Sequence, residues 1–151
     1  MRNLILYLDN CCFNRPFDDQ GSMKIFLETQ AKMMIQSYIR DNTFSLLWSF
    51  ILDYENSANP DEMVMEEIKS WRSKAKDIIK LDEKIMKLAV SLTDKGFGKK
   101  NALHIACASQ AKADFFITVD KGIIKRANRV KGIKIINPIE FINYLEDDNE
   151  D

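Results

Sequence analysis

LILYLD, residues 4–9, is a run of five apolar residues ended by an aspartate. No polar residue alternates through it, which is the pattern of a strand covered on both faces, and strands of that kind belong to parallel sheets. Downstream, Asn14, Pro16, Asp18, Asp19 and Gly21 break the chain. Beyond them Ile25, Phe26, Ala31, Met34, Ile35, Tyr38 and Ile39 approximate helical spacing behind Ser22 as cap. Residues 43–50 form a second strand candidate that runs on into Ile51, Leu52 and Tyr54 before a break at 56–60. Helices are expected over 61–71 and 82–93, each opened by an aspartate. Residues 97–100 read as a loop, and Asn101 opens an Ala-rich helix over 102–111 that is too apolar for the surface. Strands at 115–119 and 133–136 and a helix at 138–145, with Pro138 in its first turn, complete the series. Trp48, Trp71 and the helically spaced methionines read as core. Alternating strands and helices with doubly buried strands predict an α/β fold, a three-layer α/β/α sandwich on a central parallel sheet.

The chain has 151 residues, enough for one ordinary domain, here expected over 1–145 with a loose acidic tail at 146–151. With 46% hydrophobic residues and only 5 Gly and 3 Pro, the composition excludes a disordered or fibrous chain. Twenty-two basic residues against 23 acids leave a net charge of -1, so no whole-molecule field points to nucleic acid or membrane. Three cysteines and one histidine supply neither a disulfide framework nor a four-ligand zinc site, and the apolar run at 4–8 is too short for a signal-peptide core or a membrane span. A reduced, cytoplasmic setting without a membrane is the expectation.

In an open parallel sheet, ligands bind beyond the carboxyl ends of the strands. Asp9 and Asp120 directly follow two of the apolar runs, Glu55 lies a few residues past a third, and Asn101 opens the buried helix. Carboxylates gathered at one edge repel one another unless a cation stands between them, and oxygen ligands favour Mg2+ or Mn2+. Alternatively, Asp9 and Asp120 are helix caps or turn residues, the common use of Asp after a strand. Charge is also segregated: residues 95–134 carry ten Lys and Arg against two acids, leaving the remainder acidic. Lys121, Lys125 and Arg129 recur every four residues, as a basic stripe on one helix would, or as a merely solvated face. A phosphoryl-transfer site of the haloacid-dehalogenase type would want a second Asp two residues after Asp9, where Cys11 stands.

The segments YLDNCCFNRP (7–16), SFILDYE (49–55), KKNALHIACA (99–108) and ADFFITVDKGIIKRA (113–127) together resemble the PIN-domain family, named for the PilT N-terminus. The resemblance implies a magnesium- or manganese-dependent ribonuclease on a parallel α/β/α sheet, of the type found as toxins in prokaryotic toxin-antitoxin pairs. It implies that Asp9, Glu55 and Asp120 hold the metal and that Asn101 stands where the family usually has Asp. RNA is then the substrate, with Lys99, Lys100, Lys121, Lys125 and Arg129 as its contacts, and an antitoxin protein and a homodimer are the implied partners. Asn101 keeps an oxygen but removes a charge, so metal affinity should fall, and Asn is also a good helix cap. Asn10, Cys11 and Cys12 replace the usual polar support of the first Asp. His104, one turn beyond Asn101, is expected to serve structure by bonding the backbone or an acid. The competing reading is a PIN-fold RNA- or protein-binding module with weakened catalysis.

Overall fold

The computed structural model describes residues 2–149. Five strands, β1 (Ile5–Leu8), β2 (Ser45–Ser49), β3 (Ala75–Ile79), β4 (Phe115–Ile117) and β5 (Lys134–Ile136), form one sheet in the order β3-β2-β1-β4-β5, every pair parallel. The central strand β1 is flanked on both sides, and Leu6, Tyr7 and Leu8 are wholly buried, which accounts for the unbroken apolar run.

Eight helices accompany these strands among the described residues: α1 (Asn10–Asn14), α2 (Met23–Arg40), α3 (Phe50–Ser57), α4 (Glu62–Ser70), α5 (Glu83–Asp94), α6 (Lys99–Gln110), α7 (Lys121–Lys125) and α8 (Pro138–Asn149). Two adjacent residues of β4 show the layering, because successive side chains on a strand face opposite ways. The Phe115 ring lies 5.0 Å from Phe141 of α8, whereas Phe116 stacks at 5.3 Å on Tyr7, whose edge meets His104 of α6. Helix α8 packs with α2 on one face of the sheet and α6 packs with α5 on the other, giving the expected α/β/α sandwich. The strand order reverses between β1 and β4, so the crevice beyond their carboxyl ends is the natural ligand position.

Several boundaries depart from the sequence reading. The run at 43–54 is two elements: Ser49 ends β2 and caps α3, its hydroxyl accepting from the Leu52 N–H at 3.3 Å, so Glu55 belongs to a helix. Strand β3 has no counterpart in that reading, because an edge strand exposes Lys76 and Asp77 and lacks a continuous apolar pattern. Helix α6 starts at Lys99 behind Gly98, so Asn101 is its third residue and not its cap. Helix α7 stops at Lys125 and a separate 3-10 turn, Ala127–Arg129, follows, which breaks the expected single stripe Lys121, Lys125, Arg129. Helix α8 continues through Asn149 where a loose tail was expected from 146, while Glu150 and Asp151 of that tail lie outside the described residues. Met23, Met33, Met34, Met63 and Met86 are exposed and do not belong to the core, unlike Trp48 and Trp71.

Candidate active site

Asp9 leaves β1 in extended backbone and caps α1, its Oδ1 accepting from the Asn10 N–H at 2.8 Å. It is only 5% exposed, and its second oxygen accepts from the Thr118 hydroxyl at 2.8 Å and from the Cys11 thiol at 3.4 Å. Thr118 follows β4, and its Oγ1 also accepts from the Asp120 N–H at 3.1 Å. One hydroxyl thus joins the ends of the two strands at the switch point. It joins the Asn10 N–H and the Cys11 thiol in supporting Asp9, and only the β1–β4 adjacency reveals it.

Glu55 reaches the same place from α3. Its Oε1 bonds Nε2 of His104, and Oδ1 of Asp9 lies 3.7 Å from that nitrogen. His104 is completely buried, and its other nitrogen, Nδ1, is 2.6 Å from the Tyr7 hydroxyl, itself 2.6 Å from Oγ of Ser49. The expectation that His104 bonds an acid is met, but the acid is Glu55 of the candidate site, so this histidine belongs to the site. Burial pushes the Tyr7 phenol well above its ordinary range, so it stays a neutral hydroxyl. Burial likewise raises the Cys12 thiol and carries that of Cys107 up to about 12, which keeps both out of thiolate chemistry at neutral pH.

Asp120 stands at the same sheet edge, but its Oδ1 caps α7 by accepting from the Ile123 N–H at 3.0 Å. Asn101 is half-buried in the first turn of α6, one turn before His104. The structure therefore draws Asp9 and Glu55 together through His104, with Asp120 beside them through Thr118. Among the described residues no three His, Cys, Asp or Glu side chains stand in a metal-ligating group. The donor chemistry of two corners still fits a divalent cation: two carboxylates share one nitrogen at a crevice mouth, where their repulsion favours a positive charge.

The basic residues divide into separate groups. Lys99 and Lys100 are exposed in the first turn of α6, with the Lys100 ammonium 5.6 Å from the centre of the Tyr54 ring. Lys121 and Lys125 join Lys24 of α2 around an open pocket of about 410 Å³ whose apolar wall includes Val119, Ile124 and Ile139. Arg129 turns away, donating to the Lys95 carbonyl at 2.7 Å. Lys24, lying in the acidic part of the sequence, enters this pocket only through the fold.

No family model matches the chain, and no curated protein matches it by sequence. Solved structures do match in fold. VapBC2 from Rickettsia felis, bound to a DNA fragment from its promoter, superposes with a TM-score of 0.54 at 16% identity, over 89% of this chain and 98% of that one. VapBC-1 from nontypeable Haemophilus influenzae superposes with a TM-score of 0.57 at 14% identity, over the same shares of the two chains, 89% and 98%.

Proposed function

From the PIN-type fold shared with these VapBC proteins, we propose that the chain is a metal-dependent endoribonuclease acting as the toxin of a toxin-antitoxin pair. The observation that carries the reading is the convergence of Asp9 and Glu55 on one point at the β1–β4 switch, with Asp120 beside them. Asp9 and Glu55 would hold a Mg2+ or Mn2+ ion, Asp120 would contribute the oxygen that does not cap α7, and Thr118 fixes Asp9 in position. The metal supplies Lewis acidity and an activated water for attack on an RNA phosphodiester. Lys99, Lys100, Lys121 and Lys125 bind flanking phosphates, and Arg129 contributes to the outer field. Asn101, in the first turn of α6, would offer an amide to RNA without adding charge.

An antitoxin protein is the partner, in keeping with the VapBC assemblies, and a homodimer would extend the basic surface. A cytoplasmic setting fits three free cysteines, and among the described residues no helix is long and apolar enough to cross a membrane. A second reading, a PIN-fold module that binds RNA or protein with weak catalysis, is favoured by the missing charge at Asn101.

RNA cleavage measured across Mg2+ and Mn2+ concentrations separates the two. Cleavage should fall about 100-fold or more in Asp9→Asn, the several kcal/mol that metal-centred charge stabilisation contributes. At limiting metal it should rise in Asn101→Asp. RNA binding without cleavage by both the unaltered chain and Asn101→Asp would establish the binding module, and a chain that neither binds nor cuts RNA would overturn both readings.

A further inference from the structure

A cavity of about 160 Å³ lies where α1 packs against α2 and α4, and none of Asp9, Glu55, His104 or Asp120 lines it. Two polar side chains that do line it, Lys32 and Gln36, are more than nine-tenths buried, at 4% and 7% exposed. We propose that this cavity binds a small organic acid, its carboxylate held by Lys32 and Gln36 and its apolar body resting on Phe17, Met33 and Trp71. The assignment goes beyond the nuclease reading and does not depend on it.

Lys32, Gln36 and Arg40 recur every four residues along one side of α2, so three donor side chains line the same cavity. Among the described residues the Lys32 ammonium makes no hydrogen bond and no ion pair; its neighbour is the face of the Phe13 ring. Burial lowers its pKa to about 8, which leaves the ammonium as the main form at neutral pH. One turn along α2, the Gln36 amide nitrogen Nε2 is buried without an acceptor. A buried charge and a buried amide left unpaired one turn apart are costly, because each forfeits the hydrogen bonds that water gave it, and both want the same thing, an acceptor. Glu67, the acid among the lining residues, is exposed and pairs with neither Lys32 nor Arg40. Arg40 rests on Trp71, its guanidinium 5.1 Å from the ring centre, so two cations against one acid leave the cavity positive. A carboxylate, with two acceptor oxygens and one negative charge, answers Lys32 and Gln36 together.

The size of the cavity selects among carboxylates. At water's liquid share of about 30 Å³ it has the room of about five water molecules, well below the ~300–1,000 Å³ of sites for drug-sized ligands. That space suits a branched or aromatic monocarboxylate. Phe17 and Met33 are exposed beside the buried Trp71, and an apolar body laid against them would leave water as they do.

Calorimetric titration of the whole chain with phenylacetate and with isovalerate tests the assignment. Phenylacetamide, which keeps the body and removes the charge, and acetate, which keeps the charge and removes the body, are the controls. Phenylacetate should bind about tenfold or more tightly than its amide, the worth of a charge-assisted hydrogen bond, and acetate should bind more weakly than either acid. Lys32→Met should weaken both acids about tenfold or more, and Gln36→Leu by a smaller factor. Added acid should raise the thermal midpoint of the unaltered chain and leave that of Lys32→Met in place, and the cooperative transition of the variant shows that it is folded. Absence of binding by either acid, or equal binding to Lys32→Met, would overturn the assignment. Binding of a capped tripeptide with a central aspartate, with none of the free acids, would overturn it in favour of a protein partner. RNA cleavage is measured separately, so failure here leaves the nuclease reading standing.

Discussion

Lys32 lies on the inner side of α2, 4% exposed, its ammonium 5.5 Å from the centre of the Phe13 ring. Burial lowers its pKa from 10.5 to about 8. The folded state thus holds this proton less tightly than the unfolded chain, and the penalty is complete below pH 8 and fades as pH rises toward 10.5. Lys32→Met, which keeps the contact with Phe13, should stabilise the protein by on the order of 2 kcal/mol at pH 7 and by much less at pH 10. Thermal unfolding at the two pH values decides it, and an equal gain at both would show that repacking, not charge burial, is responsible. At this scale the sequence is only partly legible. Asp9 and Asp120 can be singled out because each ends an apolar run, a local property. Thr118 cannot: a threonine inside a β-rich run reads as strand propensity, and its service to Asp9 spans 109 residues. His104 is visible as a polar residue in an apolar helix, but its neighbours Tyr7 and Glu55 come from two other elements.

The start of helix α6 shows what an element contributes. Its cap, Gly98, has ordinary extended angles, φ -66 and ψ 159, and supplies no side-chain acceptor to the first turn. A Cβ at this position would meet nothing within 4 Å. Gly98→Ser should therefore stabilise the fold by about 0.5–1 kcal/mol, partly as a better cap and partly by narrowing the unfolded ensemble. A shift of the denaturant midpoint at constant slope is the expected result, and no shift would mean that solvent already satisfies those N–H groups. Elements with an interior are the ones the sequence announces: β1 and β4 are apolar throughout because both sides are covered, and α6 is apolar around the buried His104 from Ala102 to Ala108. Strand β3 is hidden because an edge exposes Lys76 and Asp77, and α3 is hidden because its apolar start continues the apolar end of β2 across Ser49.

Across the whole molecule, charge is sorted by sequence and then partly re-sorted by folding. Lys24 leaves the acidic part of the chain to join Lys121 and Lys125 at one pocket, while Arg129 turns toward Lys95. If this pocket takes the phosphates of single-stranded RNA, replacing all three lysines by glutamine should lower the slope of log affinity against log salt by about 2, with a similar loss for unrelated RNA sequences. An unchanged slope would mark the pocket as a solvated face. Fold class is readable at this scale because a parallel sheet imposes its pattern on every interior strand. The pocket is not, because it depends on which helix ends the sheet order brings together.

The hydroxyl that links Asp9 to the end of β4 also has a bearing on biosynthesis. During translation the chain emerges N-terminus first, so Asp9 leaves the ribosome long before its partner Thr118, and Glu55 long before His104. No N-terminal fragment that stops short of residue 104 contains the cluster, and none short of residue 118 holds Asp9 in place. Under the proposed ribonuclease reading, a growing chain therefore stays inert toward the message that is producing it until residue 118 has been made.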